Sequence, residues 1–186
     1  MEQIMINVPG YSVGGVLFTK EQIAEKVKEL GAQISKDYEG EEILCVGILK
    51  GSIVFMADLI RAIEGQVKID FMIASSYGGN TESSGTVEIK KDLSQSPKGK
   101  NILIIEDIID SGNTLSYLKN FYFKGKDVKS LKIVTLLDKP ARRKADISPD
   151  YCGFEVDDRF IIGYGLDYDE HYRELPHISY LVPDEK

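Results

Sequence analysis

Residues 102–115 read ILIIEDIIDSGNTL: an apolar run, two successive acids (Glu106 and Asp107), then Asp110 and a Ser-Gly-Asn-Thr loop. A near-continuous apolar run is the mark of a strand covered on both faces. Asn101 to Ile105 is therefore predicted as a strand that ends at the acid pair. Beyond the loop a helix is expected from about Thr114 to Phe123, with Leu115, Leu118 and Tyr122 as its apolar stripe. Backbone N–H groups and hydroxyls gathered in such a loop make a natural cradle for a phosphate monoester. Two carboxylates beside it suit a ribose diol, because ionised carboxylates accept hydrogen bonds from both hydroxyls. The plainer reading is a helix cap at Asp110 with surface acids nearby. Two successive acids at the end of a buried strand speak against it.

The same rhythm extends outward from this stretch. Thr19 followed by Gln22 is a capping-box signature, and Ile23, Val27, Leu30 and Ile34 share one helical face behind it. Gly31 weakens that helix and Gly40 is its expected stop. Ile43 to Leu49 reads as a second buried strand, Ser52 as the cap of a helix over IVFMADLIRAIE, and Gly65 as the end of that helix. Val67 to Ala74 and Ser130 to Leu137 read as two further strands. Alternating strands and helices imply βαβ units and a mostly parallel sheet, in which ligands bind beyond the carboxyl ends of the strands. The loops after Leu49, Ala74, Ile105 and Leu137 are thus the ones to carry function.

With 186 residues the chain is expected to form one domain, its core spanning about 40–148. The aromatic- and Asp-rich part from about 149–186, together with the N-terminal residues, is expected to form a small irregular lobe. The charge of -7 is spread along the chain and argues against a general nucleic-acid or membrane-surface binder. Cys45 and Cys152 are too few for a disulfide framework or a zinc site. No signal-peptide pattern or bilayer-length apolar run is present, which points to the cytoplasm.

The motif Glu-Asp-Ile-Ile-Asp-Ser-Gly-Asn-Thr-Leu closely resembles the phosphoribosyl-pyrophosphate signature of type I phosphoribosyltransferases, in detail their hypoxanthine-guanine branch. The likeness runs from about Val46 to His177 in the family's order. It implies the type I phosphoribosyltransferase fold: α/β, with a twisted parallel-rich sheet flanked by helices and a small hood lobe. It also implies transfer of a 5-phosphoribosyl group from phosphoribosyl pyrophosphate to N9 of a 6-oxopurine, giving IMP or GMP and pyrophosphate, with Mg2+ as cofactor. Homodimers or homotetramers are usual for this family.

By the same resemblance Glu106 and Asp107 hold the ribose hydroxyls and Ser111, Gly112, Asn113 and Thr114 the 5′-phosphate. Asp110 faces N7 of the purine as general base. Leu49, Lys50 and Gly51 bind pyrophosphate, and the Leu49–Lys50 peptide can be cis. Residues 75–86 hold ten Ser, Thr, Gly or Asn among twelve; composition allows a linker or a lid, and the Ser76-Tyr77 pair matches the family's mobile loop. Lys139 donates to the 6-oxo group, while Arg143 contacts or supports the pyrophosphate side and Arg142 reads as a solvated turn residue. Phe160 stacks on the purine, although a core role is open on sequence alone. The Ile161 backbone meets the base edge, and Arg173 meets pyrophosphate. Glu106, Asp107 and Asp167 are the expected magnesium ligands. Two other functions remain compatible with the sequence: transfer to another base such as xanthine or a pyrimidine, and an RNA-binding regulator that kept the fold. The second needs a basic stripe that the chain lacks.

Overall fold

The computed structural model describes residues 8–76 and 87–184. In chain order it contains β1 (Tyr11–Phe18), α1 (Lys20–Asp37), β2 (Glu42–Ile48), α2 (Ile53–Ala62), β3 (Gln66–Ser76) and β4 (Val87–Lys91). There follow β5 (Asn101–Ile109), α3 (Asn113–Tyr117), a π-helical turn (Leu118–Tyr122), β6 (Ser130–Asp138), β7 (Tyr151–Glu155), β8 (Phe160–Ile162) and β9 (Ile178–Pro183). A six-stranded sheet has the order β4-β3-β2-β5-β6-β7, and a separate three-stranded sheet the order β1-β9-β8. Every pairing in the large sheet is parallel except β3 with β4. The small sheet is antiparallel throughout and forms the hood.

Period-two alternation explains why the central strands are apolar at nearly every position. Ile43, Cys45, Leu103 and Ile105 pack with α1 and α2 on one face, while Leu44, Val46, Ile102 and Ile104 pack with Leu115 and Leu118 on the other. The capping box at Thr19 and Gln22 is formed, with both reciprocal hydrogen bonds in place. Gly31 is where α1 approaches α2, since a Cβ there would overlap the Ala62 backbone. Its weak helix propensity is thus traded for a close interhelical contact. From β2 the chain crosses first to β3 and later returns to β5 on the other side. The switch point therefore lies between β2 and β5, and the loops that diverge there carry residues 49–52 and 110–114.

Several expectations are corrected. Strand β5 does not end at the acid pair but runs through Glu106 and Asp107 to Ile109, because β6 continues to pair with it as far as Asp138. Ser52 stands at the N-cap position of α2 as expected, but its side chain makes no capping bond; its hydroxyl donates instead to the Ile48 carbonyl (2.6 Å). The helix expected over 114–123 is split, with Phe123 N–H reaching back five residues to the Leu118 carbonyl. Strand β7 falls within the segment expected to form the hood yet pairs with β6 in the large sheet. Strands β1 and β4 had no clear signal in the sequence. Residues 77–86 of the expected lid, Tyr77 included, lie outside the described residues, while Ser75 and Ser76 end β3.

Candidate active site

Three groups of side chains converge at the carboxyl ends of β2, β5 and β6. The first is the cradle. Gly112 caps α3 with a left-handed backbone (φ 78°), a conformation that suits glycine. A Cβ there would strike Ile147 and Arg143. The Ser111 carbonyl accepts from Lys144 N–H (2.9 Å) and Ala145 N–H (3.1 Å), which ties the loop to the segment after β6. A cleft of about 230 Å³ runs over this loop, lined by Glu106 and residues 108–115.

The second group is the acid pair. Burial, and then repulsion from Asp107, holds the Glu106 carboxyl well above the usual range. Burial likewise pushes Asp107 up to about 6, against the pull of its hydrogen bond from Ile108 N–H (2.9 Å) and of the Arg173 charge. Gly51 is dictated by this pair, because a Cβ at that position would overlap the Asp107 carboxylate. The Leu49–Lys50 peptide ahead of it is cis.

These raised values have a testable consequence. Asp107 titrates near 3.8 when unfolded and near 6 when folded. Its contribution to stability is complete below about pH 4 and is lost as the pH rises through 6. Asp107→Asn should therefore unfold at a higher temperature than the parent at pH 7.5. The gain should be on the order of 1–2 kcal/mol, less than the full shift implies because part of the residue faces the open cleft. Thermal melts at pH 4 should show the difference gone; a gap that persists there would mean that the charge is not its source.

The third group forms a pocket of about 220 Å³, lined by Asp107, Asp110, Lys139, Phe160, Ile161 and Asp167 among others. Phe160 leaves 51% of its surface exposed and meets Tyr168 edge-on at 5.2 Å. It is therefore a platform at the pocket and not a core residue. Lys139 is 5% exposed, and its ammonium donates to the Arg159 carbonyl (2.6 Å). Burial lowers its pKa, with Asp110 and Asp158 opposing the shift. The Asp110 carboxylate accepts from Arg142 through Oδ2 (3.3 Å), while its Oδ1 is buried without a partner.

On the far side of Asp107, Lys50 pairs with Glu170 (2.9 Å), and Arg173 pairs with Asp167 (2.9 Å) and donates to the Gly165 carbonyl (2.8 Å). Among the described residues, three of the five buried side-chain polar atoms without a hydrogen-bond partner belong here: Glu106 Oε2, Asp110 Oδ1 and Arg173 Nε. Buried polar groups are otherwise almost always paired, so these mark where a polar ligand completes the structure. A larger, mostly apolar cleft of about 590 Å³ lies between α1, α2 and residues 173–176. It is lined by the flanks of both helices and shares Arg173 with the site, but none of the cradle, acid-pair or base-pocket residues opens into it.

The expected residues of the cradle, the acid pair and the base pocket come together here, with Lys50, Gly51 and Arg173 beside them. Ser76, at the end of β3, and Arg143 line neither cleft, though Arg143 borders the cradle at Gly112. The Arg143 guanidinium is instead turned inward onto Asp138 and the Ile147 and Asp110 carbonyls. It braces the cradle loop from behind. Arg142 lies exposed in the turn after β6, as expected of a solvated turn residue, and from there it also bridges Asp110 (3.3 Å) and Asp158 (3.2 Å). Glu106, Asp107 and Asp167 do not make a metal cage by themselves, since no three acids, histidines or cysteines among the described residues are grouped to hold an ion. Sequence reasoning missed Arg142, Asp158 and Glu170; an acid or arginine in a polar loop carries no local signal of its distant partner.

An open parallel sheet with a phosphate cradle, an acid pair and an aromatic-walled pocket at its switch point defines an enzyme acting on a nucleotide-like substrate. Comparison narrows the class. The family model described as a phosphoribosyl transferase domain matches residues 16–169. The hypoxanthine-guanine phosphoribosyltransferase of Bacillus subtilis is 56% identical over 173 residues, covering 93% of this chain and 96% of that protein. A crystal structure of a hypoxanthine phosphoribosyltransferase from Staphylococcus aureus superposes with a TM-score of 0.88 at 54% identity, covering 92% of each chain. One of a hypoxanthine-guanine phosphoribosyltransferase from Bacillus anthracis does so with 0.85 at 49% identity, covering 92% of this chain and 99% of that one. The chain belongs to the phosphoribosyltransferase family, in its hypoxanthine-guanine branch, and is a pentosyltransferase.

Proposed function

We propose that this protein transfers the 5-phosphoribosyl group from phosphoribosyl pyrophosphate to N9 of hypoxanthine and guanine, forming IMP or GMP and pyrophosphate in purine salvage. The observation that carries this reading is the meeting, at one switch point, of the cradle over 111–114, the acid pair and a pocket walled by Phe160 over buried Lys139. The bond from C1′ to the pyrophosphate oxygen breaks, the bond from N9 to C1′ forms, and the purine gives up a proton.

Ser111, Gly112, Asn113 and Thr114 bind the 5′-phosphate, and Glu106 and Asp107 accept from the ribose hydroxyls. Asp110 takes the purine proton at N7 through a carboxylate whose other oxygen Arg142 holds. Lys139 donates to the 6-oxo group, Phe160 stacks on the ring and the Ile161 backbone meets its edge. Lys50 and Arg173 supply positive charge to the pyrophosphate, with the Gly51 backbone beside it. Arg143 acts only through the loop it braces.

Magnesium suits this donor set. It is commonly bound through one or two carboxylates plus substrate phosphates and needs no cage made by protein alone. The unpartnered Glu106 Oε2 beside Asp107, two buried acids whose charges repel, fits a cation or the diol it would help hold. Glu106, Asp107 and Asp167 are the residues that would hold it, and when bound it would offset phosphate charge in the transition state. No described helix is long and apolar enough to cross a membrane. We place the enzyme in the cytoplasm, as a homodimer or homotetramer, on the analogy of its family.

Steady-state kinetics with phosphoribosyl pyrophosphate, magnesium and hypoxanthine, guanine, xanthine and adenine tests the reading. Turnover of hypoxanthine and guanine with stoichiometric pyrophosphate is expected. Pyrophosphate release with xanthine or a pyrimidine alone would assign a different base, and no turnover with any base would end the proposal.

A further inference from the structure

We infer that Glu170 is a built-in anion that occupies the two pyrophosphate-binding cations in the free enzyme and competes with pyrophosphate for them. The inference rests on the assignment of Lys50 and Arg173 to pyrophosphate made above. Glu170 spans both cations with its two oxygens: Oε1 accepts from Lys50 (2.9 Å) and Oε2 from Arg173 (3.3 Å). Lys50 and Glu170 lie 120 residues apart in sequence and meet only in the fold. A carboxylate laid across a lysine and an arginine at the mouth of a phosphate site makes the contacts that a phosphate oxygen would make.

A second observation, independent of these ion pairs, comes from the backbone. Asp169 (φ 48°) and Glu170 (φ 67°) both adopt left-handed conformations. They are the central residues of a tight reversal closed by Tyr168 N–H to the His171 carbonyl (3.1 Å) and His171 N–H to the Tyr168 carbonyl (3.0 Å). Such two-residue reversals favour Asn-Gly or Asp-Gly, because glycine adopts the second conformation without strain. Here a glutamate stands where glycine would be easier. Its backbone is pinned by donation of Glu170 N–H to Asp167 Oδ2 (2.9 Å). Local strain of this kind persists where the side chain it presents has a use.

The pairs are exposed, with about 60% of the Lys50 and Glu170 side-chain surfaces open, so the competitor is weak and easily displaced. That is the property a placeholder needs. It keeps the two cations matched while the site awaits substrate and re-forms its contacts as pyrophosphate departs. An internal competitor lowers apparent affinity by the fraction of time the site is free.

The test is calorimetric titration of magnesium pyrophosphate into the full chain, paired with steady-state kinetics. Glu170→Gln should bind pyrophosphate about three- to tenfold tighter than the parent, as expected for loss of exposed charge pairs. The KM for phosphoribosyl pyrophosphate and the inhibition constant of pyrophosphate should fall by a similar factor. Glu170→Gly also removes the carboxylate but suits the left-handed turn. It should show the same tightening with no loss of thermal stability. Damage to the fold would weaken binding, so the direction separates the two effects.

Unchanged or weaker binding in both variants would overturn the inference and make Glu170 a residue that orients the cations. Lys50→Gln tests the underlying assignment separately. If the parent does not bind pyrophosphate, or binds it equally well without Lys50, the assignment fails and the inference falls with it. If Lys50 matters but removal of Glu170 does not tighten binding, only the inference fails.

Discussion

Asp110→Asn is expected to lower kcat by roughly two to four orders of magnitude, the usual range for loss of a general base. Asparagine fills the same volume and its amide oxygen can still accept from Arg142, so the pocket should keep its shape. What it cannot do is take a proton. In the parent, Arg142 holds Oδ2 and Oδ1 is buried without a partner. One oxygen is thus contacted by Arg142 while the other keeps its lone pairs free of any partner among the described residues, the geometry a base needs before its substrate arrives. Binding of nucleotide product should change by less than about tenfold, since no proton moves in that step. Single-turnover rates and product titrations measured together decide the matter. A rate within a few-fold of the parent would remove the general-base role.

Adenine is expected to be a very poor substrate, with kcat/KM lower than for hypoxanthine by roughly three orders of magnitude, a loss of ~4 kcal/mol. An ammonium has only donors, so Lys139 complements a 6-oxo acceptor and opposes a 6-amino group. Its burial makes the discrimination steep. At 5% exposure the charge is satisfied within the described residues by the Arg159 carbonyl, with Asp110 and Asp158 near enough to favour the charged form. A base that cannot accept sets its own amino donor against the ammonium's remaining N–H donors, which leaves both unmatched. Lys139→Gln, whose amide presents either a donor or an acceptor, should shrink the gap mainly by slowing the oxopurines. Equal turnover of adenine and hypoxanthine by the parent would mean that Lys139 does not read the base, and the 6-oxopurine assignment would fail.

Much of this protein is written locally in its sequence. The capping box at Thr19 and Gln22, the doubly buried runs that became β2 and β5, and the Asp110–Thr114 loop each depend on neighbours a few residues apart. Short-range patterns of this kind are set by backbone period and hydrogen-bond reach, which is why they are legible before any fold is known. The contiguous motif around Glu106 and Asp107 carries the family, and with it the class of reaction.

Tertiary structure alone decided where the long side chains are aimed. Adjacent arginines 142 and 143 look equivalent in sequence, yet one reaches out to Asp110 and Asp158 while the other turns inward to Asp138. The extension of β5 past its acids came from its partner β6, and the place of β7 came from pairing with that same strand. The contact of Glu170 with Lys50 joins the hood to the first loop of the sheet across nearly two-thirds of the chain. A charged side chain on a polar loop has many partners within reach of its composition. Only the path of the chain, set by burial of the two sheet faces, selects the one it meets.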